Sequence, residues 1–463
     1  MEPIRVGLLN DSFPPLIDGV ANAVMNYAEV IEKNYGSALV AAPYYPSFSD
    51  DVFPYRVVRY KSVDTTNWVG YRTGYPLDGK AIDRISREPL DILHAHCPIT
   101  AVMLGRTLRE TMNIPMVFTY HTKFDIDIRN AISAKLVQDA AIRALVRNIE
   151  SCDDVWVVSR GAGENLRSLG YNGEYTVMEN GVDVPKGRAS EEAVEMIRKE
   201  YLLTPDVPTF LFVGRMMWYK GIRLTLSALY RLKEAGVPFR MLFVGGGGDF
   251  DEIRAYTRDL GLAEQCTFTG PVRDRDRLRA FYSAADLFLF PSTFDTNGLV
   301  VREAAAGGVA SVLIEGSCAA EGVVNGETGL LIRETPESMA AALMAICQNR
   351  QAMRDMGTRA MEELYCSWET SVSRAVERYR EVIRGTVTLK RHKLWADDLF
   401  YQSIAETYNA MQKVRALYEQ AKQPRDALVD QALERRETLL ERMPGFLRPP
   451  KSGTDSDRID RTK

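Results

Sequence analysis

The chain has 463 residues, 46% of them hydrophobic, enough apolar material for more than one core, because single domains usually span ~100–200 residues. A formal net charge of -4 excludes a nucleic-acid binder, which depends on a basic excess. Cys97, Cys152, Cys266, Cys318, Cys347 and Cys366 show no C-x-x-C spacing, which excludes a disulfide scaffold and reads as reduced thiols of a cytosolic protein.

The opening MEPIRVGLLN enters a strand pattern directly, so no signal peptide is expected, and no run reaches the roughly 18 apolar residues of a spanning helix. In the first half, strands are expected at Ile4–Leu9, Ala38–Ala42, Arg56–Tyr60, Asp91–His94, Met116–Tyr120, Val155–Val158 and Tyr175–Met178. A helix over Val20–Lys33 carries Val20, Val24, Tyr27, Ala28 and Ile31 on one face. Apolar runs without in/out alternation suit parallel strands covered on both sides. The polar stretch Pro185–Glu195 reads as a hinge. The pattern then repeats at Phe210–Val213, Met241–Val244, Thr267–Thr269, Leu287–Phe290, Ala310–Ile314 and Gly329–Ile332. Strands alternating with helices imply βαβ units with right-handed crossovers, hence an α/β fold of two doubly wound, Rossmann-like sheets, over 1–185 and 186–366. From Ser367 the pattern is helical: a helix over 367–384, then an extension over 385–443. Residues 444–463 read as a polar, disordered tail.

Ligands of open α/β sheets bind beyond the carboxyl ends of strands, so residues just past each strand carry the search for chemistry. In FLFVGRMMWYKGI a strand closes at Gly214, and Arg215 and Lys220 frame a loop before a helix. Two cations at a strand–helix junction suit a diphosphate; the alternative is a solvated pair. In LFLFPSTFDTNGLVVREAAAGG the amides of Thr296, Asn297, Gly298 and Leu299 stand at a helix start, an anion site in waiting. Asp295 could cap that helix. Glu303, among Ala304–Ala306 on a closely packed helix, needs a partner such as a ribose diol. Asp125-Ile-Asp127 and Asp274-Arg-Asp276 lack a third ligand, so no metal is expected. VGGGG at 244–248 lacks the spacing of a dinucleotide loop.

In order, VGR…KG, VGGGG, TGPVRDRDRLRAFYSAADLFLFPS, the acidic pair and NGETGLLI resemble the donor domain of retaining glycosyltransferase family 4, of the GT-B fold. The resemblance covers residues 1–384 in pattern and is densest over 209–332. It implies two Rossmann-like domains facing a cleft, with the acceptor side first and the donor nucleotide held by the second. The helix over 367–384 would cross back toward the first domain. It assigns the donor diphosphate to Arg215, Lys220 and the helix start at Thr296–Leu299, and the ribose to Glu303. Asp295 stands near the sugar, where the family usually has Glu, and Val272 joins the donor set. Gly19, in NDSFPPLIDGVANAV, matches the glycine of a loop that closes over the diphosphate. His121, after the strand ending at Tyr120, gains a role on the sugar, with Lys123, Phe124 and Asp125 toward the acceptor; His94 and His96 read as structural.

The implied activity is transfer of a hexose, with retention and without a metal, from a UDP- or GDP-sugar to an acceptor hydroxyl. Besides this co-substrate no cofactor is expected. Arg129–Ile149 is amphipathic and basic, and LKRHKLW at 389–395 is basic with an aromatic anchor. Two readings stand open: peripheral contact with the inner membrane surface, with a lipid-linked acceptor, or ordinary core-facing helices with solvated basic faces. A sugar-nucleotide epimerase on the same fold and a non-catalytic assembly protein are the alternative functions. The first would convert donor without acceptor, and the second would release no nucleotide.

Overall fold

A computed structural model describes residues 2–386 except 47, 67–70 and 132, together with scattered residues between 402 and 413. The expected extension past residue 386, the 389–395 segment and the 444–463 tail therefore lie outside the described residues, the scattered ones apart.

The first sheet contains β1 (Ile4–Leu9), β2 (Gly36–Pro43), β3 (Arg56–Tyr60), β4 (Ile92–Ala95), β5 (Met116–Tyr120), β6 (Asp154–Val157) and β7 (Thr176–Val177), in the order β3-β2-β1-β4-β5-β6-β7. The second contains β8 (Thr209–Val213), β9 (Arg240–Val244), β10 (Cys266–Gly270), β11 (Leu287–Leu289), β12 (Ala310–Ile314) and β13 (Gly329–Ile332), in the order β10-β9-β8-β11-β12-β13. Strands pair in parallel throughout both sheets. A two-residue antiparallel pair, Ser62–Val63 with Thr73–Gly74, stands apart. The two Rossmann-like sheets expected from the pattern are thus present, and strand ends differ by a residue or two. Central strands such as Met116–Tyr120 and Phe210–Phe212 are buried on both faces, which explains their unbroken apolar runs.

Each sheet has its own core. Ile4, Val6, Leu8, Val24, Tyr27 and Trp156 anchor the first, and Phe210, Phe212, Leu229, Phe243, Phe288 and Val312 the second. The last described helix, Trp368–Thr386, joins the first core: Trp368, Val372, Ala375, Val376 and Tyr379 are all buried in it. The hinge stretch is shorter than the sequence implies. Ser190 caps a helix over Glu191–Glu200, leaving 185–189 as the irregular link.

Candidate functional site

In each sheet the strand order reverses beside its first strand, between β1 and β4 and between β8 and β11. Crossover helices leave opposite faces there, so a crevice opens beyond the carboxyl ends. The loops leaving β8 and β11 carry Arg215–Gly221 and Pro291–Gly298. They lie back to back: Gly221 has φ of +77°, and a Cβ on it would collide with the Pro291 carbonyl. VGGGG supports the first loop from behind. Gly246 accepts from the Met216 amide (3.0 Å), and a Cβ on Gly245 would strike the Gly214 carbonyl. Gly245 and Gly247, whose Cβ would strike the Gly214 and Met216 carbonyls, are needed for close backbone approach.

This back-to-back arrangement brings Lys220 and Asp295 together across 75 residues of sequence. Lys220 Nζ donates to Asp295 Oδ1 at 2.6 Å, and Ser292 Oγ donates to Oδ2 at 2.6 Å. The ammonium also lies 5.6–5.8 Å from the ring centroids of Tyr219, Phe290 and Phe294, close enough for cation–π attraction. Asp295 is therefore an ion-pair partner and not the helix cap it could have been. The cap of the Leu299–Ala306 helix is Gly298, at φ +59°, where a Cβ would stand 2.9 Å from Ala319. Arg215 is exposed, 6.0 Å from the Tyr219 ring centroid, and pairs with no carboxylate among the described residues.

The amides of Thr296, Asn297, Gly298 and Leu299 donate to no other described group, and the buried Nδ2 of Asn297 also has no partner among the described residues. Eight residues past Asp295, Glu303 Oε2 accepts from the Tyr282 hydroxyl at 2.9 Å. Burial raises the Glu303 pKa above the ordinary glutamate range, although the Tyr282 hydrogen bond opposes this. Val272 lies on the loop leaving β10, half-buried against the second core.

The first domain meets these loops with the ends of β5 and β6. Thr296 Oγ1 donates to the His121 carbonyl (2.6 Å), Lys123 Nζ donates to the Thr293 carbonyl (3.2 Å), and Ser159 Oγ donates to the Thr296 carbonyl. His121 is buried, its Nε2 2.9 Å from His96 Nδ1, and burial pushes its pKa down to about 3. It is neutral at physiological pH and acts as a hydrogen-bonding group. His94 ties Thr119 (2.7 Å) to Tyr379 of the last described helix (2.5 Å). His96 is less remote than its structural reading implies, since it is the direct neighbour of His121.

Phe124 and Asp125 begin the helix Phe124–Ala131. Asp125 Oδ1 accepts from Asn165 Nδ2 at 3.3 Å, and its Oδ2 lies 3.7 Å from Arg129. Gly19 differs from the expectation: it is the first residue of the Gly19–Asn34 helix and is not in the preceding loop. Asp18 accepts from the amides of Val20 and Ala21, which ends the loop one residue earlier. Asp274 is likewise a cap, accepting from the amides of Asp276 and Arg277. Among the described residues no three His, Cys, Asp or Glu side chains are grouped to hold a metal.

Sequence reasoning missed Ser159, Ser292, Tyr282 and Glu321. Glu321 accepts from the amides of Arg160 and Gly161, so a carboxylate of the second domain sits at a helix start in the first. Ser159 and Ser292 follow strand ends, a signal that could have found them; Tyr282 and Glu321 owe their place to folding alone.

Residues 17–186 match the family model described as Glycosyltransferase Family 4, and residues 194–363 match that of Glycosyl transferases group 1. The chain is 24% identical over 312 residues to alpha-monoglucosyldiacylglycerol synthase of Streptococcus pneumoniae, covering 66% of this chain and 70% of that protein. It is 29% identical over 307 residues to D-inositol 3-phosphate glycosyltransferase of Nocardia farcinica, covering 62% and 66%. Its fold is shared with Anabaena HepE in complex with UDP, at a TM-score of 0.66 and 18% identity over 82% of this chain and 100% of the other. With the two family models meeting on the two Rossmann-like domains, the chain belongs to the family 4 glycosyltransferases of the GT-B fold.

Proposed function

We propose that the protein moves a hexose from a UDP- or GDP-sugar to an acceptor hydroxyl, with retention at the anomeric carbon. The observation that carries this reading is the meeting of Lys220, at the end of one strand loop, with the 295–299 segment of the next. Four amides without a described partner follow Asp295 directly in that segment, and Thr296 bonds the carbonyl of His121, which supports one shared anion site for the cation and the amides. As the sugar leaves, charge builds on the departing diphosphate, so groups aimed at it bind tighter in the transition state and lower the barrier. In this reading the exposed Arg215 turns onto the diphosphate. Glu303 takes a ribose hydroxyl with its remaining acceptor capacity, and neutral His121 hydrogen-bonds a sugar hydroxyl. A diphosphate oxygen on the sugar's own face accepts the acceptor's proton. Gly19 and Val272 flank the donor, and Lys123, Phe124 and Asp125 stand toward the acceptor. Neutralisation comes from the protein's own cations and amides, with no metal ion.

For the acceptor, the reading favours a membrane lipid presented to a cytoplasmic enzyme at the inner membrane surface. No described helix is long and apolar enough to cross a membrane. The helix Lys135–Glu150 buries Ile142, Leu145, Val146 and Ile149, yet leaves Leu136 84% and Val137 51% exposed beside Lys135, Arg143 and Arg147. Ala140 and Ala144 are exposed as well, while Val146 is buried, so the outward apolar end is distinct from the core-facing stripe. Exposed aliphatic groups flanked by cations suit an anionic bilayer, and one relative is named for a diacylglycerol lipid.

The test incubates the intact protein with a panel of UDP- and GDP-hexoses, with and without diacylglycerol acceptors in anionic vesicles. Acceptor-dependent release of nucleoside diphosphate and a product of unchanged anomeric configuration are expected. Lys220→Ala should lower turnover by ~10²–10³; unchanged turnover in that variant overturns the reading. Absence of co-sedimentation with the vesicles removes the lipid acceptor alone.

A further inference from the structure

The second sheet has another polar cavity, at the end opposite the crevice. It lies beside Thr209, which opens β8, Asp286, just before β11, and Gly308, just before β12. Its volume is about 490 Å³, within the range of small-molecule sites. Four arginines line it, Arg188, Arg198, Arg350 and Arg354, against two carboxylates, Glu191 and Asp286. Four positive charges less two negative leave it at +2, in a chain whose net charge is -4.

The carboxylates are already engaged. Asp286 accepts two hydrogen bonds from Arg350 Nη2, at 2.7 and 2.6 Å, and one from the Thr209 amide, at 2.8 Å. Glu191 pairs with Arg198 at 2.8 Å. Arg188 finds only the carbonyls of Gly308 and Ser283, and Arg354 pairs with no carboxylate among the described residues. Arg350 Nε is buried with no hydrogen-bond partner among the described residues. Desolvation lowers the pKa of Arg188, and repulsion from Arg354 and Arg198 lowers it further, against the smaller opposing pull of Asp286 and Glu191. Like charges that outnumber their counter-ions are costly, and a planar guanidinium with a free donor matches phosphate geometry.

We infer that this cavity is a second anion site, separate from the crevice, taking a small soluble molecule that carries a phosphate group. The inference does not depend on the transfer reaction: its residues lie at the amino ends of the strands and include none of those assigned to the donor.

Calorimetric titration of the intact protein with inorganic pyrophosphate tests it. Two binding events are expected, one in the crevice and one here. Lys220→Ala should abolish or weaken the first and spare the second. Arg354→Ala, an exposed position whose side chain supports no described contact, should weaken the second at least tenfold and spare the first, while Arg354→Lys should retain most of it. Circular dichroism of each variant guards against a folding defect. A single event lost in Lys220→Ala and untouched by Arg354→Ala overturns the inference, as does an event that neither variant changes or no binding at all.

Discussion

At the scale of single residues, the proposed chemistry turns on the pair of Lys220 and Asp295. Asp295 already holds the lysine at 2.6 Å through one oxygen and Ser292 through the other. In the proposed function, a diphosphate arriving at Lys220 must share or displace that carboxylate. The side chains are only 10% and 21% exposed, so the contest takes place largely out of water, where opposite charges attract strongly. Asp295→Asn is expected to tighten binding of free nucleoside diphosphate up to tenfold by calorimetry, while turnover falls. The same change leaves the Lys220 ammonium without its counter-charge in a largely buried site, so the melting temperature should fall. Weaker diphosphate binding in the variant would instead mean that Asp295 serves to position Lys220. The sequence marks both residues as candidates but is silent on their pairing.

Among the elements, the helix Thr100–Met112 starts without a side-chain cap of its own. Its cap position is Ile99, which has no side-chain acceptor. Asp11, from the end of β1, accepts instead from the amides of Thr100 (3.1 Å) and Ala101 (2.7 Å). Burial raises Asp11 to about 6, against the pull of those amides. Its ordinary value is near 3.9, so between about pH 4 and 6 the folded protein holds more protons at Asp11 than the unfolded chain. Stability from this group is therefore greatest below pH 4 and is lost as pH rises through 6, by roughly 3 kcal/mol at 1.36 kcal/mol per unit. Asp11→Asn keeps an acceptor for the helix start and removes the titration. Melting temperatures across pH 4–7 should show the variant gaining on the parent as pH rises; a constant difference would refute the assignment.

Over the whole molecule, the helix Trp368–Thr386 makes the first domain depend on the far end of the described chain. Trp368 and Tyr379 fill its core, and the Tyr379 hydroxyl reaches His94 at 2.5 Å. Trp368→Ala should cost ~3–5 kcal/mol. Hydrogen exchange should quicken in β1, β2 and β4 while β8, β9 and β11 keep their protection; equal loosening of both sheets would contradict two separate cores. Contacts between the domains include polar ones, such as Glu321 on the Arg160 and Gly161 amides and Arg302 with Glu179 at 2.7 Å, beside a small apolar cluster of Val182, Val184 and Ala306. Interfaces between domains of one chain generally permit domain movement, as the donor binding proposed for the crevice requires.

What the sequence determined by itself was local. Apolar runs such as Met116–Tyr120 and Ala310–Ile314 mark strands because burial on both faces tolerates no polar alternation, and two successions of such runs imply two sheets. Cations and amides past strand ends could be picked out because parallel sheets place those ends at one edge. Only the tertiary structure decided how they combine. The Lys220–Asp295 pair exists because adjacent β8 and β11 bring two distant loops together, with Gly221 leaving room for the Pro291 carbonyl. The neutrality of His121 follows from burial beside His96, and the arginine-lined cavity from four side chains spread over 188–354. Such contacts depend on sheet order and packing distance, quantities set by the whole fold and carried by no local pattern of residues.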